Sequence, residues 1–252
     1  MRKNDISGVD FLLVLILLTR LPLPRLDTRQ FARHAHAVWA FPIAGLAVAV
    51  PACLIAQVSL WTGLESLTTA GLAIGVQILL TGAMHEDGLA DTADGFWGGF
   101  DRARRLDIMK DSHIGTYGVL ALIVTVGLRW VTYASIITTA GPWALVPLAM
   151  LSRAMMPVIM TVLPNARGSG LSQSVGRPTP RNCALGLGLA AAGAVLILGW
   201  VSFGVILAMA GATVSLAVAA RVKIGGQTGD VLGATQQLSE LAGLLMVAAL
   251  IA

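Results

Sequence analysis

The sequence predicts an all-α fold: a polytopic integral membrane helix bundle of about seven transmembrane helices plus an N-terminal interfacial or re-entrant helix. Three observations carry that expectation. Of 252 residues, 56% are hydrophobic and only 12% charged, and mean hydropathy is +0.79. A soluble domain carries about a quarter of its residues as charges, so these 17 basic and 13 acidic side chains could not cover a surface of this size. Apolar runs recur at the length that crosses the hydrocarbon, about 20 residues of helix, and the cations gather in alternate connecting segments. The composition excludes an ordinary soluble enzyme, a disordered chain and a secreted disulfide scaffold. Cys53 and Cys183 lie in or beside apolar runs, which offers neither a disulfide framework nor a zinc cluster.

Taken in order, the run from Val9 to Thr19 is too short for a crossing and ends at Arg20 and the Pro22/Pro24 pair. No small-residue cleavage site follows it, so it reads as a retained interfacial or re-entrant helix rather than a signal peptide. Spans are expected at 37–60, 66–84, 116–137, 143–162, 183–199, 203–220 and 238–252. Pro42 and Pro51 predict kinks in the first. The uncharged stretch 183–220 is too long for one helix and is divided at Gly199–Gly204, where glycine, serine and aromatic residues suit an interfacial turn. The last span is short and carries Glu240 near its start. All of 1–252 is expected to form a single membrane-embedded domain, with an active-site loop at 85–115.

Charge sets the expected orientation. Segments 1–36, 85–115, 163–182 and 221–237 hold fifteen of the 17 Lys and Arg, and the intervening turns hold none. Lysine and arginine stay on the cytoplasmic side, so the long loops are expected to face the cytoplasm. The pI near 9.6 is then a matter of topology, and no nucleic acid is needed to explain it.

Seven of the thirteen acids fall between Glu86 and Asp111. On a helix, Asp87, Asp91 and Asp94 lie within about 60° of one another, with Glu86 close to that face. Stacked carboxylates repel unless a cation neutralises them. Hard oxygen donors select Mg²⁺ or Mn²⁺, and magnesium binds through a few carboxylates plus substrate phosphates. A solvated acidic loop is the plainer alternative, which the glycine and aromatic content of the block disfavours.

Arg102, Arg104, Arg105 and Lys110 follow, in position to neutralise a diphosphate or merely to anchor the chain. His113 reads as a general base or an interfacial histidine, and His85 is equally open. Arg153 sits midway along its span, where an arginine costs roughly 2.5–3.5 kcal/mol and must face an anion inside the bundle. Pro157 is expected to break that helix and turn the guanidinium toward a cytoplasmic cavity. Arg129 reads as nearer the outer end, where it can snorkel. Gly225-Gly226-Gln227-Thr228-Gly229-Asp230 suggests a backbone phosphate cradle or an extra metal ligand, with Thr228 or Asp230 capping the helix after it.

These residues together resemble the cobalamin synthase (adenosylcobinamide-GDP ribazoletransferase) family. The matching pieces are Thr19-Arg20-Leu21-Pro22-Leu23-Pro24, the block Glu86 to Gly95, and Ile108 to Gly118 with its Lys-Asp-Ser-His-Ile-Gly-Thr-Tyr-Gly run. Ser152-Arg153-Ala154 and Gly226 to Asp230 complete a resemblance that runs end to end. It implies a Mg²⁺-dependent enzyme of the prokaryotic inner membrane that joins adenosylcobinamide-GDP to α-ribazole or its 5′-phosphate and releases GMP. The lipid bilayer is an expected partner, and a homo-oligomer or a complex with other cobalamin-pathway enzymes stays open.

Roles then follow from residue chemistry. Glu86, Asp87, Asp91 and Asp94 are expected to hold Mg²⁺ and the diphosphate. One of Asp94, Asp111 or His113 takes the hydroxyl proton, and Arg153, Arg102 and Lys110 neutralise the diphosphate or departing GMP. Thr228 and Asp230 help to hold a nucleotide. Two alternatives are a CDP-alcohol phosphotransferase-like lipid synthase, whose Asp-Gly-x-x-Ala opening continues differently from Asp91 here, and a small-molecule transporter, which would place its ionisable groups near the midplane.

Overall fold

A computed structural model describes residues 6–251. Arg2 and Lys3 of the basic count, and the last residue of the final expected span, lie outside that range. The order is α1 (Gly8–Leu18), α2 (His34–Ala37), α3 (Phe41–Trp61), α4 (Ser66–Thr81), α5 (Met84–Gly98) and α6 (Arg102–Ile108). After these come α7 (Thr116–Ala140), α8 (Val146–Val162), α9 (Leu171–Val175), α10 (Pro180–Leu198), α11 (Val201–Ile224) and α12 (Gly229–Ile251). No strand occurs among the described residues. Among the described residues six helical segments are long and apolar enough to cross a membrane, or seven if the bent pair α4–α5 is counted as one span.

Helix α1 has eleven residues, about 16 Å, half of what the hydrocarbon requires. It is held by Asp10, whose carboxylate accepts from Arg33 Nε at 2.9 Å and Trp39 Nε1 at 3.0 Å. Helix α3 keeps Pro51 inside it, while Pro42 falls in its first turn, where a missing N–H costs nothing. Helix α8 is the hub, 83% buried, whereas α10 and α11 are 22% and 28% buried and line the outside. Gly45 of α3 lets the two backbones touch, since a Cβ there would lie 2.7 Å from the Ala149 carbonyl carbon.

Four expectations are corrected. The span 66–84 stops at Thr81, because Gly82 and Ala83 both adopt left-handed backbone (φ 65° and 58°) and turn the chain by 87°. Ala83 pays about 1–2 kcal/mol for that conformation, so packing holds the bend. The expected loop 85–115 is therefore helical over Met84–Gly98, and it runs along α7 from Arg129 up to Gly115. The final span begins at Gly229 rather than 238: Thr235, Gln236, Gln237, Ser239 and Glu240 are all buried, Thr235 and Ser239 donating to carbonyls of α12 itself and the other three bonding to side chains of neighbouring helices. Helix α8 continues through Pro157 without a break.

The basic segments converge at one end of the bundle. Arg102 Nε donates to Ile224 O at 2.9 Å and its Nη2 to Ala166 O at 3.0 Å. Arg105 Nη1 donates to Lys223 O at 3.0 Å. Ala166 N and Gln227 O, 2.8 Å apart, stitch the 163–170 loop to 225–228, and Arg20 N donates to Leu80 O at 2.7 Å. At the other end Thr138 Oγ1 donates to Ser66 Oγ at 2.9 Å.

Candidate active site

Helix α5 presents Asp87 and Asp91 along one face. Asp87 is exposed and Asp91 half-buried, one turn apart. Gly88, between them, brings the first turn of α12 against α5: a Cβ on it would lie 2.8 Å from Asp230 O and 3.2 Å from Gly233 Cα. That backbone contact puts Asp230 beside the acidic face. Arg167 Nη2 makes a 2.8 Å ion pair with Asp230 Oδ2, which also accepts from Thr228 Oγ1 at 3.2 Å. Asp91 lies within electrostatic range of Asp87, Asp230 and Asp94, with Arg167 opposing them. The sequence singled out Asp230 and Thr228 but not Arg167, which entered only in the count of basic residues in segment 163–182.

Asp94, Asp111 and His113 meet in one open cleft of about 360 Å³, with Gly115 and Tyr117 on its wall. Asp94 is buried and spans the start of α7, accepting from Gly115 N at 2.7 Å and Gly118 N at 2.9 Å. Both its oxygens are thus occupied by backbone donors, an N-terminal cap that suits the helix dipole. His113 is exposed, and its Nδ1 lies 2.7 Å from Asp111 Oδ1. The Asp111 carboxylate, through that hydrogen bond, raises the His113 pKa above the ordinary imidazole value, and His113 lowers that of Asp111.

Glu86 is not with the other acids. It points into the bundle, where its Oε1 accepts from Gln237 Nε2 at 2.9 Å and Arg129 Nη1 at 3.2 Å. Arg129 is 1% exposed, and α7 extends to Ala140, so the residue lies at mid-helix rather than near the outer end. Its Nη2 reaches Glu240 Oε1 at 3.0 Å, and Tyr133 Oη donates to the same oxygen at 2.9 Å. Arg153 is equally buried: Nη1 donates to Ala149 O at 3.1 Å and stands 3.7 Å from Glu240 Oε2. The anion that Arg153 requires is therefore a carboxylate of the last span, and the guanidinium does not reach the open end.

Of the other expected cations, Arg102 is turned inward onto two carbonyls, and Lys110 is exposed at the end of α6. In the glycine loop, Gly226 is packed against Pro164 O so closely that any Cβ would overlap it. Loop-to-loop contact therefore accounts for this glycine. Thr228 Oγ1 accepts from Val231 N at 3.4 Å at the start of α12, the expected cap.

Among the described residues no three His, Cys, Asp or Glu side chains are already gathered as a metal-ligand set. Magnesium does not need one, because it keeps several waters and takes one or two carboxylates plus substrate phosphates. Asp87 and Asp91, all-oxygen and partly open, fit that requirement.

Residues 10–248 match the family described as cobalamin-5-phosphate synthase. The chain belongs to that family. A protein of Sinorhizobium sp. named adenosylcobinamide-GDP ribazoletransferase is 45% identical over 90% of this chain and 91% of its own. A namesake from Bradyrhizobium diazoefficiens is 46% identical over 85% and 84%, and one from Brucella anthropi 43% over 98% and 99%. No solved structure matches. These relatives favour neither a CDP-alcohol lipid synthase nor a transporter. In this cobalamin-5-phosphate synthase family member, the residues that sequence reasoning missed are Arg167, Gln237 and the Arg129–Glu240 pair.

Proposed function

We propose that the protein transfers the adenosylcobinamide phosphoryl group of adenosylcobinamide-GDP to α-ribazole or its 5′-phosphate. The product is adenosylcobalamin or its 5′-phosphate, with GMP as leaving group, at the cytoplasmic face of the inner membrane. Support comes from the names of relatives above 40% identity over nearly the whole chain. The observation that carries the site is the Asp87–Asp91 face set against the Asp230–Arg167 pair. Carboxylates and a guanidinium side by side suit a cation-bridged diphosphate.

In the reaction a ribazole hydroxyl oxygen attacks the phosphorus that bears the cobinamide. A P–O bond forms, the bond to the GMP phosphate oxygen breaks, and the hydroxyl proton is lost. His113 receives that proton at the ring nitrogen left outward by its bond to Asp111. Asp87 and Asp91 are the residues that would hold Mg²⁺, which when bound neutralises diphosphate charge as the leaving group departs. Arg167 and Lys110 add positive charge from the loops. Asp94 fixes the start of α7, and with it the segment that carries Asp111 and His113.

The test is GMP release by the purified protein in nanodiscs, given adenosylcobinamide-GDP and α-ribazole with and without Mg²⁺. Stoichiometric GMP and cobalamin, dependent on Mg²⁺, is the expected result. Absence of GMP with both substrates and metal present overturns the reading.

A further inference from the structure

The mechanism above uses only the ionisable groups of the open cleft at the start of α7. Asp94, Asp111 and His113 line it, and Ile108, Ile114 and Tyr117 supply its larger apolar surfaces. Ile114 and Tyr117 are both exposed. No lysine or arginine is among the described residues that line the cleft. Asp94 stands one turn along α5 from Asp91, so the cleft begins where the Asp87–Asp91 face ends. Its volume is about 360 Å³, more than twice the roughly 150 Å³ that takes benzene.

We infer that this cleft receives the acceptor nucleoside α-ribazole, its two-ring base against Tyr117 and its ribose hydroxyl toward His113. The inference rests on the ribazoletransferase reading with His113 as proton acceptor, and it makes Tyr117 a residue that selects the acceptor. Reach comes first. A general base takes a proton only from a hydroxyl within hydrogen-bond distance, so the acceptor must share the cleft that His113 lines. Size agrees, because the cleft holds a methylated two-ring base, with the ribose across its open mouth, and is far too small for a corrin ring. Charge agrees as well. Carboxylates without a lining cation repel a diphosphate and tolerate an uncharged base. In-line geometry then separates the two nucleosides: the leaving oxygen departs opposite the attacking one, so GMP lies on the side of the phosphorus away from His113. An aromatic base stacked on or edge-on to the Tyr117 ring gains beyond its buried area.

Chemical protection of His113 reads occupancy of the cleft without turnover and on the unaltered protein. The chain in nanodiscs, with Mg²⁺, is treated with diethyl pyrocarbonate, and carbethoxylation of the exposed His113 is followed by mass spectrometry. α-Ribazole is expected to block the modification and GMP to leave it unchanged. In steady-state assays Tyr117→Ala should raise the KM for α-ribazole about three- to tenfold, the worth of one aromatic contact. The KM for adenosylcobinamide-GDP should stay within about twofold, and Tyr117→Phe, which keeps the ring, should retain the wild-type KM for α-ribazole. Protection by GMP, no protection by α-ribazole, or an unchanged KM for α-ribazole in Tyr117→Ala overturns the inference. Protection by α-ribazole with no GMP release when both substrates are present overturns the reaction and leaves the cleft standing.

Discussion

Arg129 and Glu240 meet at mid-depth of the bundle, Nη2 to Oε1 at 3.0 Å, with side chains 1% and 0% exposed. Around them, two arginines and two carboxylates balance: Arg129 and Arg153 against Glu86 and Glu240. Neutral groups fill the gaps, since Gln236 Nε2 and Ser152 Oγ both donate to Glu240 Oε2. The network joins α4, α5, α7, α8 and α12, and through Glu86 it fastens the foot of the helix that presents Asp87 and Asp91. Charges inside a membrane protein persist when paired in this way.

Removing one partner leaves the others buried and uncompensated. Arg129→Met is expected to destabilise the protein by about 3–5 kcal/mol, read as a fall in thermal midpoint in nanodiscs. The double variant Arg129→Met/Glu240→Met should cost less than the two single changes added. Strict additivity, or a loss under about 0.5 kcal/mol for Arg129→Met, would show that the pair does not hold the bundle.

The apolar spans were legible because lipid-facing helices must be apolar along their length. What the sequence hid is the polar interior. Gln236, Gln237 and Glu240 depress the hydropathy of the first half of α12, so the helix reads as starting nine residues late. Their partners on other helices are 84 to 151 residues away, and no local pattern indicates such pairings. The same distance effect misplaced Glu86, which reads as close to the acidic face but sits about 100° round the helix from Asp87 and turns inward to Arg129. Asp87 and Asp91, by contrast, stand where helical spacing put them. Arg102 illustrates the limit for cations: the sequence cannot say whether a guanidinium seeks a phosphate or, as here, two backbone carbonyls.

Asp94 and Gly118 form a cap that cannot accept bulk. A Cβ on Gly118 would overlap the Asp94 carboxylate, and one on Gly115 would lie 2.5 Å from Oδ1. Gly118→Ala is expected to push the carboxylate off both amides, and Asp94→Asn to lose one of two acceptors. Each should cost about 1 kcal/mol or more of stability and loosen residues 111–115, seen as faster amide exchange there. Unchanged exchange at Gly115 in both variants would remove the capping role.

Asp91 and Glu86 should separate cleanly as chemistry and structure. Asp91→Asn is expected to lower GMP release by about 10²–10³-fold, the loss typical of one stabilising charge, with the thermal midpoint nearly unchanged. Glu86→Gln should lower the midpoint because Arg129 loses a counter-charge. Turnover and midpoint measured on both variants check this. Wild-type turnover in Asp91→Asn would remove it from the site.

The Asp111–His113 pair predicts the acid limb of the pH profile. The base must be neutral to take a proton, and Asp111 raises the His113 pKa by favouring the imidazolium. Activity should therefore fall as pH drops through a value above the ordinary 6.5. Asp111→Asn removes that stabilisation, so the pKa descends and the limb moves to lower pH, while the pH-independent rate falls because the ring loses its orienting partner. His113→Ala should remove the limb and cut the plateau by about 10²–10⁴-fold. Both side chains are exposed, so neither change should alter stability much. Rate profiles of kcat/KM from pH 5 to 9 for the three proteins decide it: a limb that stays in place in Asp111→Asn, or survives in His113→Ala, assigns the proton to another group.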